Sequence, residues 1–282
     1  MVKISVVIVN WNDIEHLKPN LERLFSIGCT YPFEVFVVDN GSNDGSAAMV
    51  REKFPQVHLI QNDWDAGFAT ANNQALRLIN GEIAILLNPD MLVEKGTLEK
   101  THDVLMADKS IGVLGVRLNK PDGTPIQNVR RLPDLISQLS IVLKLAKLFP
   151  RLTTKYLYAD FDYTKSQDVP QVRGSYFAMR KDTLKQVGLL DSDYHIWFEE
   201  VDYCQQVQKA GMRVRYEASV SCTDFVGQSF KKMKHLEKQR IFTASMVRYF
   251  KKWKPWWQTA LIMTARPIGI AMAAMADVLK LP

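Results

Sequence analysis

The chain has 282 residues, 47% hydrophobic and 23% charged, which admits one large α/β domain or two small ones and excludes a globally disordered chain. Its three cysteines, Cys29, Cys204 and Cys222, have no CxxC spacing; this argues against a disulfide framework or a zinc site and makes a reducing cytoplasm the expected compartment. The formal net charge of +6 is local: Lys231 to Lys254 carries nine Lys or Arg against one acid, Glu237, so the rest of the chain is about −2.

The first ~120 residues alternate apolar runs with helical patterns, as expected of a parallel sheet covered by helices. Ile4–Val9 is too short for a signal-peptide core and reads as a buried first strand. Further strands are expected at Glu34–Val38, Val57–Ile60, Glu82–Leu87 and Ile111–Val116, rich in Val and Ile as doubly covered strands are. Helices are expected at Leu17–Phe25, Ser46–Phe54, Thr70–Ile79 and Thr97–Met106. Pro121-Asp122-Gly123 is a turn signal. Beyond it the spacing predicts an amphipathic helix over Ile136–Leu148 and an aromatic loop over Tyr156–Tyr163. A strand at Val172–Met179, helices at Lys181–Val187 and Phe198–Ala210, and a strand at Arg213–Glu217 follow.

Ligands of open α/β sheets sit beyond the carboxyl ends of the strands. Here those ends are polar: Asn10-Trp11-Asn12, then Asp39-Asn40-Gly41-Ser42, then Asn88-Pro89-Asp90. Turn formation and helix capping account for Ser42, Asn43 and Gly45. They account less well for Asn10, Asp39 and Asp90, which point to a cation or to a ligand bearing hydrogen-bond donors. Asp90 at a sheet edge suits Mg²⁺ or Mn²⁺, ions that take one or two protein oxygens and complete their shell with diphosphate and water.

Taken together, Ile4–Asn12, Val37-Val38-Asp39-Asn40-Gly41-Ser42 and Asn62-x-x-x-x-Gly67-Phe68-Ala69-x-Ala71-Asn72-Asn73 resemble family 2 glycosyltransferases of the GT-A fold. Asn88-Pro89-Asp90 resembles the rhamnosyltransferase-type variant of their DxD metal motif, and Gly174–Arg180, Val187–Asp191 and Trp197–Cys204 resemble their acceptor half. The resemblance implies a GT-A, Rossmann-like mixed α/β sheet flanked by helices. It divides the chain into a domain over residues 1–230, with a nucleotide-sugar half (1–120) and an acceptor half (121–230), and a helical tail over 231–282.

It also implies an inverting transfer from a nucleoside-diphosphate sugar, with rhamnose on dTDP as the best donor. The acceptor would be lipid-linked or an oligosaccharide, in cell-surface polysaccharide synthesis. Asp39 would accept the imino N–H of the base, with Asn10, Asn12, Gly41, Ser42, Gly67, Asn72 and Asn88 around the donor. Asp90 would hold the metal. Glu200, where the family has Asp, would be the general base, with Glu199, Asp202 and His195 near the acceptor. The plain alternative for Glu199, Glu200 and Asp202 is the acidic first turn of a helix, favoured by its dipole.

Two positions depart from the family pattern. Ser221–Ser229 contains no His, so Asp224 would have to replace it, and Gln205 and Gln206 stand where an Arg is usual. These departures leave open a catalytically inactive homologue that serves as membrane-bound partner of an active transferase. A nucleotidyltransferase would need a Gly-rich phosphate loop that Asn10–Asp13 lacks.

The tail mixes its cations with Trp253, Trp256 and Trp257. Arg266 and Pro267 split the apolar stretch that follows, and neither half reaches the ~18 residues of a spanning helix. Rings beside lysines and short apolar helices fit a segment lying on an anionic membrane, which would make the protein peripheral on the inner face of the cell membrane. A helical hairpin packed on the domain or in a dimer is the competing reading. The donor residues lie in the first half, so loss of the tail before Phe230 would leave donor binding intact. The tail has no zinc-finger or RNP-type signature, and nucleic acid is not an expected partner.

Overall fold

The β-branched run after Lys3 forms β1 (Ile4–Asn10), buried almost throughout. The computed structural model describes residues 1–225 and 233–279. After β1 come α1 (Ile14–Ser26), β2 (Phe33–Asn40), α2 (Ser46–Lys53), β3 (His58–Asn62), α3 (Phe68–Leu76), β4 (Ile83–Leu87), β5 (Met91–Val93), α4 (Thr97–Ala107) and β6 (Ile111–Asn119). The second half holds β7 (Val129–Arg130), α5 (Leu135–Val142), α6 (Arg151–Leu157), β8 (Gln167–Asp168), β9 (Gln171–Val172), β10 (Tyr176–Arg180), α7 (Lys181–Val187), α8 (Glu199–Lys209) and β11 (Arg213–Asp224). Two long helices follow, α9 (His235–Trp253) and α10 (Trp256–Val278).

The main sheet runs β3-β2-β1-β4-β10-β6-β11-β5, with β8 beside β11. The first four strands are parallel. β10 enters antiparallel between β4 and β6, and β5 is antiparallel to β11, so the sheet is mixed. Alternation along β1 decides which layer each side chain joins. Ile4, Val6 and Ile8 pack with Leu17, Leu21 and Leu24 of α1. Val7 faces the other layer, with Ala69, Ala71 and Ala75 of α3 and Tyr203 of α8.

The structure corrects several sequence expectations. The helix over Ile136–Leu148 ends at Val142, where Lys144 takes a left-handed φ of 59° and a 3-10 turn follows at Leu145–Lys147. Asp134 starts that helix by accepting from the Ser137 N–H at 3.0 Å. The aromatic loop begins as a helix, α6, and only its later part, Tyr158–Tyr163, is the ring cluster around Phe161. Val172–Met179 is two strands: β9 pairs with β7 in a separate ribbon, and β10 enters the main sheet. The last strand runs on to Asp224 across a register shift between Glu217 and Ser221, so Ser221–Asp224 is strand and not the segment after it. Val226–Ser229, Phe230, Lys231 and Lys232 lie outside the described residues.

The largest correction concerns the tail. Pro267 does not split it: α10 is one helix of 23 residues, long and apolar enough to cross a membrane. Proline inside a helix removes one hydrogen bond and crowds the preceding turn. Packing on both sides of it supports the helix, through Ile262 and Ala265 before it and Gly269 and Ala273 after it. At Gly269 a Cβ would lie 2.5 Å from the Val142 carbonyl oxygen, so α10 and α5 approach at backbone distance. The opposite face is apolar and exposed, with Leu261, Met263, Ile268, Met272 and Met275. The hairpin shares a third core with the second half of the chain, where Val142, Tyr194, Phe198 and Val201 meet Met246, Tyr249, Phe250 and Ile262.

Candidate active site

β2, β1 and β4 are neighbours, so their polar ends meet at one rim. Asn10 and Asp39 are register partners, both fully buried. The Asn10 amide donates to Asp39 Oδ1 at 3.1 Å and to Ser42 Oγ at 3.2 Å. Asp39 Oδ2 accepts from the Ser42 N–H, and Asn12 ties the same loop by accepting from the Asn43 N–H and donating its own N–H to Ser42 Oγ. Gly41, at φ 76°, has the Trp64 backbone where a Cβ would be, at 3.0 Å. The loops after β2 and β3 are thereby closed on each other.

Next to this rim lies a cleft of about 450 Å³ between the two halves. Of the residues predicted from sequence, Gly67, Asn88, Asp90, His195, Glu199 and Glu200 border it. Asn10, Asn12, Asp39, Gly41, Ser42, Asn72 and Asp202 do not. Asn72 turns its amide back to the Phe68 carbonyl within α3. Asp202 is turned toward α9, where its carboxylate accepts from Trp253 Nε1 at 2.6 Å, Lys252 Nζ at 2.8 Å and Gln206 Nε2 at 2.6 Å.

Asp65, Arg130 and Arg173 are among the cleft residues not singled out from sequence. Asp65 accepts from the Asn40 amide at 2.6 Å and from the Gly67 N–H at 2.9 Å, and its other oxygen is 3.3 Å from His195 Nε2. That carboxylate raises the His195 pKa, against the opposing effect of partial burial. The Phe68 N–H donates to the His195 carbonyl at 2.7 Å, and a Cβ on Gly67 would stand 2.5 Å from the same oxygen. Gly67 is thus where the start of α3 touches the segment that leads into α8. Arg130 and Arg173 are the other two; the ribbon of β7 and β9 carries Arg130 and delivers Arg173 just past its end. The sequence hint for Asp65 is an acid two residues before the Gly at a helix start.

The chain reaches Glu199 and Glu200 through two left-handed residues, Trp197 at φ 66° and Phe198 at φ 71°. Such a conformation in bulky residues is strained and is held by its surroundings; Phe198 is buried in the third core. The kink starts α8 with both glutamates at the cleft. Oε2 of each is buried with no hydrogen-bond partner among the described residues. Burial pushes the Glu199 carboxyl well above the ordinary carboxylate range, helped by the charge of Glu200. Burial also raises Glu200, but Arg130 and Arg173 oppose the shift. Both carboxyls are thus held above the ordinary carboxylate range by burial, and only Glu200 has guanidinium groups, those of Arg130 and Arg173, opposing the shift.

Asp90 and Asp224 stand at adjoining strand ends: Asp224 pairs with Met91, and the Phe225 N–H donates to the Asp90 carbonyl at 3.1 Å. Both are nearly buried and both line the cleft. Arg173 lies 3.6 Å from Asp224. Among the described residues no group of three or more His, Cys, Asp or Glu could hold a metal ion by itself. Two carboxylates opening onto a cleft still fit a hard cation that draws its remaining ligands from phosphate and water.

Residues 5–188 match the model of glycosyl transferase family 2. The chain belongs to that family. This family 2 glycosyltransferase is 28% identical over 222 residues to an N-acetylglucosaminyl-diphospho-decaprenol L-rhamnosyltransferase of Mycobacterium tuberculosis, covering 74% of this chain and 71% of that one. It is 20% identical over 215 residues to a low-salt glycan biosynthesis hexosyltransferase of Haloferax volcanii, covering 75% and 63%. Among solved structures, a mannosyltransferase from Pyrobaculum calidifontis in complex with GDP-Man and Mn²⁺ superposes with a TM-score of 0.61 at 21% identity, over 97% of this chain and 73% of that one. An S. aureus TarS fragment in complex with UDP-GlcNAc superposes at 0.56 and 16%, over 88% and 67%. The fold is GT-A, as the motifs implied.

Proposed function

We propose that this glycosyltransferase inverts the sugar it transfers, taking it from a nucleoside diphosphate and placing it on an acceptor carried by a lipid. dTDP-rhamnose is the donor the Asn88-Pro89-Asp90 variant favours, and the 28% relative named as a rhamnosyltransferase of a decaprenol-linked sugar supports both halves of that reading. The single observation that carries it is the half-buried Glu200: its Oε2 is buried without a hydrogen-bond partner among the described residues, in the same cleft as Asp90.

The residues then divide the work. Asp39, held by Asn10 and the Ser42 N–H, accepts the imino N–H of the base. Asn12, Gly41, Ser42 and Asn72 shape the donor end, and Gly67 and Asn88 border the cleft. Asp90, with Asp224 beside it, would hold Mg²⁺ or Mn²⁺, which neutralises the charge that develops on the departing diphosphate. Glu200 takes the proton of the acceptor hydroxyl as that oxygen attacks from the face opposite the diphosphate. Glu199 lies beside the acceptor, and His195 holds Asp65 on the acceptor side. The enzyme would work at the inner face of the cell membrane.

The test is a transfer screen over dTDP-, UDP- and GDP-sugars on a prenyl-diphosphate-linked sugar acceptor, with and without Mn²⁺. Metal-dependent transfer from dTDP-rhamnose supports the donor assignment. Transfer from another nucleotide sugar alone replaces it, and no transfer or donor hydrolysis from any donor favours the inactive homologue.

A further inference from the structure

We infer that the enzyme touches anionic lipid through a second surface outside its C-terminal helices, formed by Leu148, Phe149 and a basic depression lined by Arg131, Arg151 and Lys155. An open depression of about 590 Å³ is bordered by those three cations together with Thr154, Ala159 and a single acid, Asp160. Arg131 is fixed there: its guanidinium stacks 4.0 Å from the centre of the Tyr158 ring, and its N–H donates to the Tyr156 carbonyl. Arg151 and Lys155 lie one helical turn apart on α6 and are exposed. Three cations converging on one hollow with one acid suit a phosphate group.

Directly before α6 the chain exposes two large apolar side chains, Leu148 at 73% and Phe149 at 58%. They border the 3-10 turn that carries Lys147, also exposed. Apolar tips beside phosphate-binding cations are what a lipid interface selects: the rings and branched chains enter the acyl boundary while the cations meet headgroups. A soluble partner of ordinary surface would not call for both. The surface also adjoins the tail, because α5 packs against both the Leu145–Lys147 turn and α10, and Ile136 of α5 is 63% exposed. On its inner side α6 turns Tyr156 into the cleft. A headgroup held at Arg151 and Lys155 is therefore one helix away from the place where a lipid-linked acceptor must arrive.

This inference rests on the reading that the enzyme works at a membrane, and the experiment separates the two. The full-length chain is floated with vesicles of phosphatidylcholine, with and without phosphatidylglycerol. Three variants are compared: Leu148→Ser with Phe149→Ser, Arg151→Gln with Lys155→Gln, and Trp256→Ser with Trp257→Ser in the tail. All six side chains are exposed, and circular dichroism checks that each variant is folded. Each cation removed should lower partitioning to the anionic vesicles roughly fivefold and leave the phosphatidylcholine vesicles unaffected. The Leu148/Phe149 pair should lower partitioning to both. Flotation of the wild type that these two variants leave unchanged overturns the second surface and keeps the membrane reading with the tail alone. A wild type that floats with neither vesicle overturns both.

Discussion

The Trp253 indole donates to the Asp202 carboxylate at 2.6 Å, and Asp202 stands two residues after Glu200 on the same helix. The C-terminal hairpin is thus bonded to the helix that carries the proposed base. Lys252 adds a second cation-assisted bond to Asp202, and Arg248 and Lys252 both bond Asp191. Burial works against ionisation of Asp191, but the bonds from Arg248 and Lys252 keep its carboxyl below the ordinary range. Asp202 is fully buried but Lys252 reaches solvent, so loss of the carboxylate chiefly leaves the Trp253 N–H unpaired, at a cost of about 1–3 kcal/mol. Asp202→Ala should lose about that much in urea unfolding and should lower transfer as well. Removal of both helices should expose the core around Tyr194 and Phe198, so the truncated chain should lose cooperative unfolding. Retained donor binding by a well-folded truncation would show that the hairpin is the detachable tail its sequence suggested.

Gly67 is held at φ 76° and ψ 167°, a region closed to side chains, with the His195 carbonyl in the path of any Cβ. Gly67→Ala should cost of order 1–3 kcal/mol in strain alone and push the His195 segment away from the start of α3. Calorimetry should show weaker nucleotide binding in that variant. Unchanged stability and affinity would mean that the two halves do not need this contact.

The buried Glu199 carboxyl gives a pH signature in stability. Its folded pKa is raised above the unfolded value, so its contribution is full below the unfolded pKa and is lost as pH rises through the folded one. Glu199→Gln cannot ionise. Its melting temperature relative to wild type should therefore improve as pH rises above the ordinary carboxylate range. A constant difference over that rise would show that Glu199 is not held neutral.

Asp90 should govern metal dependence and not folding. Asp90→Ala should bind dTDP or UDP more weakly in the presence of Mn²⁺, and the gain that Mn²⁺ gives wild type should vanish. Calorimetric titration with and without the ion measures this. A full Mn²⁺ gain in Asp90→Ala would move the ion to Asp224 or elsewhere.

Much of the rim was legible because its signals are local. Val6-Val7-Ile8-Val9 ending in Asn10, and Val37-Val38 ending in Asp39, announce buried strands with polar ends, and their neighbours follow from the alternation of strand and helix. The Gly67 and Glu200 motifs are also contiguous. What was not legible depends on residues far apart in sequence. Arg130 and Arg173 reach the cleft through two-residue strands, too short to leave a period. Asp65 gains its meaning from His195, 130 residues away. Arg248 and Lys252 read as part of the basic cluster directed at a membrane, but the fold sets them against Asp191 and Asp202. Pro267 reads as a break, and packing by Ala265 and Gly269 overrides it.

The most direct test of the account is single-turnover transfer by Glu200→Gln beside calorimetric donor binding, both measured across pH. Glu200→Gln keeps the size of the side chain and removes the base, so donor affinity should be unchanged and transfer should fall roughly 10²–10⁴-fold. In wild type the rate should fall as pH drops through a pKa above the ordinary carboxylate range, because burial raises Glu200 and only the ionised form accepts the proton. Arg173→Gln removes a charge that favours that form, so its acid limb should move to higher pH. Full transfer by Glu200→Gln, or an acid limb that survives in it unchanged, would contradict the assignment of Glu200 as the base.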